Sequence, residues 1–474
     1  MLTNPARLIH ARLVNRRAPL ATLLVFGLAL AIGLGACNSE AAAAAENREL
    51  RTALTRQGVG PYPAAPQPPA AQVALGQALF FDPELSGNRD VACATCHLPS
   101  QATGDGLSLP IGTGGAGLGP DRQADPTRPR VARNAPDVLF RGSPAWITVF
   151  WDGRVWGATG PGYMATADAY LPHDLENILA AQALFPLTAR EEMRGQAGDK
   201  DVFGRPNELA AIDDVDLHAI WAAVVDRVTA FPDYRALLTK AYPAVAPEQV
   251  TIAHIANALG AFEVSIGNSP ASPWDRYLAG DDDALTDAAR RGALLFYGAG
   301  GCSSCHSGAL LSDQLYHNLA VPQIAPGKSP VQPLDPGRAM VTGAPEDMFA
   351  FRTPPLRNVA VTGPWMHNGA YTTLEGAVRH HLDPATALRT YDAEQLSPEL
   401  RAAVVTDSAS AGGILRAAAV LKTVDPLVKA PRSLTEAQVD DLLAFLDALT
   451  DPATADLAAL VPESVPSGLP VVGP

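Results

Sequence analysis

Apolar residues recur at helical spacing over Asp174–Leu184, Asp213–Ala230 and Pro247–Ile266, then over Pro398–Leu421 and Leu434–Leu449. Positions three and four apart share one face of a helix, so each window predicts an amphipathic helix with a buried stripe. Alternating patterns long enough for strands are missing. The stretch Gly104–Arg130 is rich in Gly, Pro and Asp and predicts an irregular loop. Two further apolar windows resemble one another: Gly76-Gln77-Ala78-Leu79-Phe80 and Gly292-Ala293-Leu294-Leu295-Phe296. Their shared Gly-x-x-Leu-Phe pattern is an internal repeat and predicts two similar domains, residues 71–270 and 271–450. The fold class is mainly α, with long irregular loops.

Both ends of the chain read differently. Arg7, Arg12, Arg16 and Arg17 precede an apolar run, Ala18–Leu34, that closes on Gly35-Ala36-Cys37. A basic region, an apolar region and small residues before a cysteine predict a lipoprotein signal over residues 1–36, with Cys37 lipidated. The alternative is an uncleaved membrane helix, for which the run is slightly short. Residues 37–70 are Ala-rich and then Pro-rich, which predicts a tether holding the folded part off the membrane. Residues 451–474 form a Pro-rich tail expected to lie extended along the surface.

Composition narrows the functional classes. The chain has 474 residues, 47% hydrophobic and 18% charged, which is globular rather than disordered. Its formal net charge is −14. Without residues 1–36 it loses four arginines and no acids and reaches −18. That excess argues against nucleic-acid binding and against charge-driven adhesion to anionic lipid.

The repeat ends each time in the same chemistry: Cys93-Ala94-Thr95-Cys96-His97 and Cys302-Ser303-Ser304-Cys305-His306. Two cysteines at this spacing can add to the two vinyl groups of one haem, leaving the adjacent histidine to face the iron. A lone CxxC could equally be a redox dithiol, half a zinc site or a disulfide. Two copies, each completed by histidine and following an export signal, point to two covalent c-type haems in cytochrome-c-like domains. The five cysteines are then accounted for, Cys37 by lipid and four by haem.

Further motifs extend from about residue 70 to 465. They are Leu79-Phe80-Phe81-Asp82, Arg133-Asn134-Ala135-Pro136, Trp151-Asp152-Gly153-Arg154, Glu192-Met193, Phe231-Pro232-Asp233-Tyr234, the run Phe351–Asn358 and Pro364-Trp365-Met366-His367-Asn368-Gly369. With the two CxxCH motifs, in this order and spacing, the chain resembles the bacterial dihaem cytochrome c peroxidase family, including its MauG-type branch. The resemblance implies an N-terminal haem that reacts with hydrogen peroxide and a C-terminal haem that passes electrons to it. Peroxidases of the family close the first iron with a loop histidine, and Thr113 stands at that position here. No histidine occurs between His97 and His173, so the first haem is expected to be open without prior reduction. His173 is the remaining substitute, although an isolated histidine is more often a surface residue.

The same resemblance places Glu192 as the acid and base of peroxide cleavage, Gln182 as its hydrogen-bonding partner, and Trp151 between the haems. From composition alone Glu191 and Glu192 are equivalent, and Trp151 reads equally as a core aromatic. The position of the sixth ligand to the second iron falls on His381, with His380 and Met366 as competitors. Asn134, Thr362 and Pro364 match a calcium site between the haems, and oxygen-only ligation suits that ion. The expected activity is peroxide reduction fed by a small cytochrome c or a cupredoxin. The alternatives are a MauG-type oxidase that modifies tryptophan or another residue of a partner protein through high-valent haem, and a non-catalytic dihaem electron carrier. The expected location is the periplasmic side of a bacterial membrane.

Overall fold

The two Gly-x-x-Leu-Phe windows form matching helix crossings, and these crossings are what the repeat encodes. The computed structural model describes residues 41–157, 162–166, 171–268, 270–324, 327–328, 334–405 and 411–473. The expected signal segment and Cys37 lie outside them. Residues 41–49 are helical, and from Leu50 to Pro474 the chain forms one compact unit. The helices that shape its interior are α1 (Ala70–Phe81), α2 (Ile178–Ala183), α3 (Leu217–Ala230), α4 (Pro232–Ala241), α5 (Ile252–Ser265), α6 (Asp287–Phe296), α7 (Leu374–Leu382) and α8 (Glu436–Asp447).

Helix α1 crosses α5 at Gly76, where an added Cβ would lie 1.8 Å from the Ala258 carbonyl oxygen and 2.8 Å from Phe262 Cβ. Helix α6 crosses α8 at Gly292, where the corresponding distances are 1.9 Å to the Asp441 oxygen and 2.8 Å to Phe445 Cβ. Backbone meets backbone in both crossings, so no side chain fits. The Leu-Phe that follows carries each helix into a core. Leu79, Phe80 and Phe81 join α5 and Trp221 in one cluster, while Phe296 packs with Phe445, Trp274 and Leu442 in a second.

Strands are short pairs that pin loops. Thr148–Val149 (β1), Val155–Trp156 (β2) and Met164–Ala165 (β3) form a small antiparallel sheet. Tyr316–His317 (β4) pairs with Phe351–Arg352 (β6), and Gln323–Ile324 (β5) with Val404–Val405 (β7). That last pair interrupts the helix expected over Pro398–Leu421. Helical turns occupy Pro398–Arg401 and Ala411–Lys422, and the β-branched Val404 and Val405 between them leave the helix to pair with β5.

The segment expected to be a free tether is docked from Leu50 onward. Leu50 and Leu54 are buried in the second core, and Tyr62 is buried in the first. The Tyr62 hydroxyl donates to the Phe140 carbonyl at 2.9 Å. Asn268 pairs with both backbone groups of Ala65, at 3.0 and 2.7 Å. An extended Pro-rich strand has no internal hydrogen bonds, and here a side-chain amide supplies them. At the other end, Val465 enters the first core. Ser467 bonds the Asp82 carboxylate, and Val472 N–H donates to the Phe81 carbonyl. The chain's end therefore seals the C-terminus of α1.

Candidate functional site

Each CxxCH motif opens onto its own cavity, and the two are nearly equal, about 190 Å³ at Cys93–His97 and about 200 Å³ at Cys302–His306. None of the four cysteines is tied up in a disulfide, so each motif's pair is available to a haem. In the first motif His97 Nδ1 lies 3.2 Å from the Thr103 carbonyl, and in the second His306 Nδ1 lies 3.1 Å from the Leu311 carbonyl. A carbonyl only accepts, so Nδ1 carries the proton in both rings and Nε2 keeps a free lone pair for a metal. Burial pushes the imidazoles toward the neutral form that ligation requires, lowering His97 and taking His306 down to about 4. The cavities thus fit a group that is held by two thioethers and ligated on one face by histidine.

Their opposite faces differ. His381, on α7, shares the second cavity with His306, and the two ring centroids stand 6.2 Å apart. A metal–imidazole bond is about 2 Å and the centroid lies roughly 1.1 Å behind the ligating nitrogen, so two imidazoles on one metal stand about 6 Å apart. His381 Nδ1 is bonded to the Ala377 carbonyl at 2.8 Å, which frees its Nε2. Neighbouring His380 is fully occupied elsewhere. Its Nδ1 meets the Tyr371 hydroxyl and its Nε2 the Leu319 carbonyl, both at 2.7 Å. Met366 also lines the second cavity.

The first cavity has Glu192, Gln182 and Met193 on its wall. Gln182 comes from α2, whose start is capped by the Asn177 side chain. Glu192 sits in a single π-helical turn, Arg190–Arg194, that ends at Gly195 with φ +86°. Such turns widen the backbone and recur at functional sites. Behind it, Arg194 donates to the Leu209 carbonyl and pairs with Asp214 at 2.7 Å, which fixes the turn. The Gly-rich loop lies flush against the same turn. A Cβ on Gly112 would stand 2.1 Å from the Glu191 oxygen, and Thr113 N–H donates to the Glu192 carbonyl at 3.1 Å. Gly112 reaches the cavity wall, whereas Thr113 is not among the lining residues. Among the described residues His97 is the only histidine on that wall, and His173 is exposed.

Lys328, from the second half of the chain, also lines this cavity. Burial, aided by Arg154 and Arg133, lowers its ammonium to about 8. Burial pushes the Glu192 carboxyl up, and the nearby Lys328 cation is the largest force opposing it. Nothing in the sequence pattern singles out Lys328. It lies in a loop far from the cavity's other residues, and only the fold brings it there.

Trp151 lines both cavities. Its indole N–H donates to the Asn134 carbonyl at 3.0 Å, and its own carbonyl accepts from Arg352 N–H at 2.7 Å. Asp152 pairs with buried Arg133 at 2.5 Å and approaches Arg154 at 3.8 Å. Burial opposes its ionisation, yet these cations hold its carboxyl well below the usual range. Arg133 is clamped on its other side by Asp335. Arg141 and Arg352 line both cavities as well, and their guanidinium groups could pair with acidic substituents of a bound haem. Asn134, Thr362 and Pro364 all line the second cavity. Asn134 Nδ2 is used by the Leu107 carbonyl at 2.9 Å, so its amide oxygen is the group left for a cation.

Residues 70–283 match the family model described as di-haem cytochrome c peroxidase. The methylamine utilization protein MauG of Methylorubrum extorquens is 31% identical over 373 residues, covering 77% of this chain and 86% of its own. The chain belongs to the di-haem cytochrome c peroxidase family. Cytochrome c551 peroxidase of Pseudomonas aeruginosa is 31% identical over 304 residues, covering 64% of this chain and 69% of that one. Among solved structures, a MauG-like protein associated with microbial copper homeostasis aligns with a TM-score of 0.55 at 28% identity, over 84% of this chain and 96% of the other. The mainly helical fold and the two CxxCH cavities are therefore those of a dihaem c-type oxidoreductase carrying two c-type haems, an enzyme of the peroxidase and MauG type. One grouping looks like a metal site and is not one. Ligand atoms of Cys305, Asp313 and His317 lie within 4.8 Å of one another, but Cys305 belongs to the haem motif, and a thioether sulfur is no thiolate ligand.

Proposed function

We propose that hydrogen peroxide is reduced in the cavity of His97 by electrons that arrive through the cavity of His306 and Trp151. The observation that carries this reading is that Trp151 alone among the tryptophans borders both cavities while Glu192 and Gln182 border only the first. When bound, the haem at His97 supplies an iron that takes up peroxide and accepts its oxidising equivalents. The residues manage protons. Glu192 takes the proton from the peroxide oxygen nearest the metal and returns it to the departing oxygen, which leaves as water. Two electrons and two further protons complete the balance to a second water. Burial raises the Glu192 carboxyl above the ordinary range, which eases its return to the protonated form and so suits both roles. Gln182 orients the bound oxygen by hydrogen bonding. His306 and His381 would hold the second haem, and their 6.2 Å ring spacing supports that assignment.

Electrons come from a small cytochrome c or a cupredoxin, and calcium at Asn134, Thr362 and Pro364 braces the region between the haems. The chain is held by lipid at Cys37 on the periplasmic side of a bacterial membrane, the outer one by preference. A second reading is supported by His97 being the one histidine among the described residues of the first cavity, by a non-methionine residue at 381 and by the likeness to MauG: oxidation of tryptophan or another residue on a partner protein. The test is the optical and electron paramagnetic resonance spectrum of the ferric protein, followed by peroxide titration. One high-spin and one low-spin haem, with the high-spin signal consumed by peroxide, is the expected result. Two low-spin haems unmoved by peroxide would make the chain an electron carrier. Turnover with reduced cytochrome or cupredoxin separates peroxidase from partner oxidase.

A further inference from the structure

His317 has no part in the chemistry above, yet it lines the second cavity and is held more firmly than any other histidine there. Its Nε2 lies 3.0 Å from Asp313 and its Nδ1 2.6 Å from Asp425. Ionised carboxylates only accept hydrogen bonds, so both ring nitrogens donate and the ring is an imidazolium. Two carboxylates and one imidazolium leave the trio one net negative charge. All three side chains are largely withdrawn from water, between 11% and 18% exposed, so the charge is poorly screened.

The trio is built into the loop that carries the iron ligand. Asp313 N–H donates to the Cys305 carbonyl at 2.7 Å, one residue before His306. Leu311, two residues before Asp313, provides the carbonyl that orients His306. Asp425 arrives from the far end of the chain, and its N–H donates to the carbonyl of Asn318, the residue after β4, at 3.0 Å. The negative charge therefore stands on the His306 side of the cavity.

We propose that Asp313, His317 and Asp425 form a potential-setting trio for the haem at His306, holding it at a lower reduction potential than its ligands alone would give. A fixed negative charge in a medium of low dielectric favours the more oxidised iron. Bis-histidine ligation acts in the same direction, so the second haem becomes a ready electron donor to the first. The proposal rests on the reading of this cavity as a haem site.

The experiment is a spectroelectrochemical titration of the low-spin haem in the intact dihaem protein at pH 6. At that pH each aspartate variant still leaves one carboxylate against His317, and that contact favours its imidazolium form. D425A takes the trio from one negative charge to none and is expected to shift the midpoint upward. D313A makes the same change from the other side of the ring and carries the same expectation should D425A fold poorly. H317Q removes the cation, leaves both carboxylates, and is expected to shift the midpoint downward or leave it in place. A trio that merely braces the loop would respond to all three substitutions in one direction. An unmoved midpoint in the aspartate variants, or an upward shift in H317Q, overturns the proposal. A haemochrome count of one covalent haem would instead overturn the reading of the cavity itself, and the proposal with it.

Discussion

Adjacent His380 and His381 offer the sharpest separation of structure from ligation. His380 is fully buried with both ring nitrogens bonded at 2.7 Å. Truncating it in His380→Ala strands the Tyr371 hydroxyl and the Leu319 carbonyl away from water. Each orphaned buried group costs about 1–3 kcal/mol, so the pair costs about 2–6 kcal/mol before the cavity is counted. His381 makes one side-chain bond, to Ala377, a carbonyl inside α7 that also has a helical partner. His381→Ala therefore removes little stability, under about 1 kcal/mol from hydrogen bonding, but strips one face of the second haem. The assay pairs denaturant unfolding followed by circular dichroism with the low-spin haem signal of each variant. The expected outcome is a crossed pattern. His380→Ala unfolds at distinctly lower denaturant and keeps the low-spin signal, while His381→Ala unfolds near wild type and turns that haem high-spin or recruits Met366. A stable His380→Ala that loses the signal would refute the assignment, and so would a His381→Ala that keeps an unaltered spectrum.

In Glu192→Gln, peroxide cleavage measured by stopped flow falls about 10²–10⁴-fold, the usual worth of a positioned acid and base, while both haems still attach. Lys328→Met removes the cation that most opposes the burial of Glu192 and leaves Glu191, Arg154 and Arg133 in place. The Glu192 carboxyl then rises, and the acidic limb of the rate profile moves to higher pH; Lys328→Arg leaves the limb where it was. Gly292→Ala gains about 1 kcal/mol of helix propensity but drives a methyl against the Asp441 carbonyl at 1.9 Å. The resulting overpacking costs about 1–3 kcal/mol or more, so thermal unfolding shows net destabilisation. Glu263 is buried, and that burial pushes its carboxyl up to about 8. The folded state then holds a proton the unfolded state loses, so stability is full below the ordinary carboxylate range and declines as pH rises through about 8. The slope is as much as about 1.4 kcal/mol per pH unit, and Glu263→Gln flattens it in unfolding measured from pH 5 to 9.

How far the sequence carried depends on how local each feature is. The CxxCH motifs and the Gly-x-x-Leu-Phe windows were legible because their chemistry and geometry are settled within a few residues. The helices over Leu217–Ala230 and Ile252–Ser265 followed from apolar spacing, whereas the break at Val404–Val405 depends on a partner strand about eighty residues earlier. Docking of the Pro-rich segment was invisible for a similar reason, since Asn268 and Phe140, which receive it, lie 203 and 78 residues further along the chain. Periodicity cannot rank Glu191 against Glu192, or His380 against His381. Neighbours on a helix point about 100° apart, and only the packing around them says which direction is the cavity. Lys328 and the His317 trio were illegible altogether, being assembled from loops whose meeting is a property of the fold.

That division also explains why two halves so alike present differently lined cavities. Each half repeats a glycine crossing, a thioether pair and a histidine steered by a carbonyl two turns of loop away, so the machinery that holds a haem exists twice. What lies opposite the histidine is not repeated. In the second half α7 brings His381 within 6.2 Å of His306, and among the described residues no second histidine lines the cavity of His97. There the π-helical turn presents Glu192, and Gly112 keeps its loop pressed to that turn's backbone. A bulky residue at 112 would lift the loop by the width of a side chain, toward the space a substrate needs. On the proposed reading, the first cavity is left to peroxide because a glycine keeps its loop down, and the second is left to electron transfer because a helix end brings His381 into it. Selection for peroxide chemistry can therefore act on these unrepeated faces while both haem-holding frames remain the same.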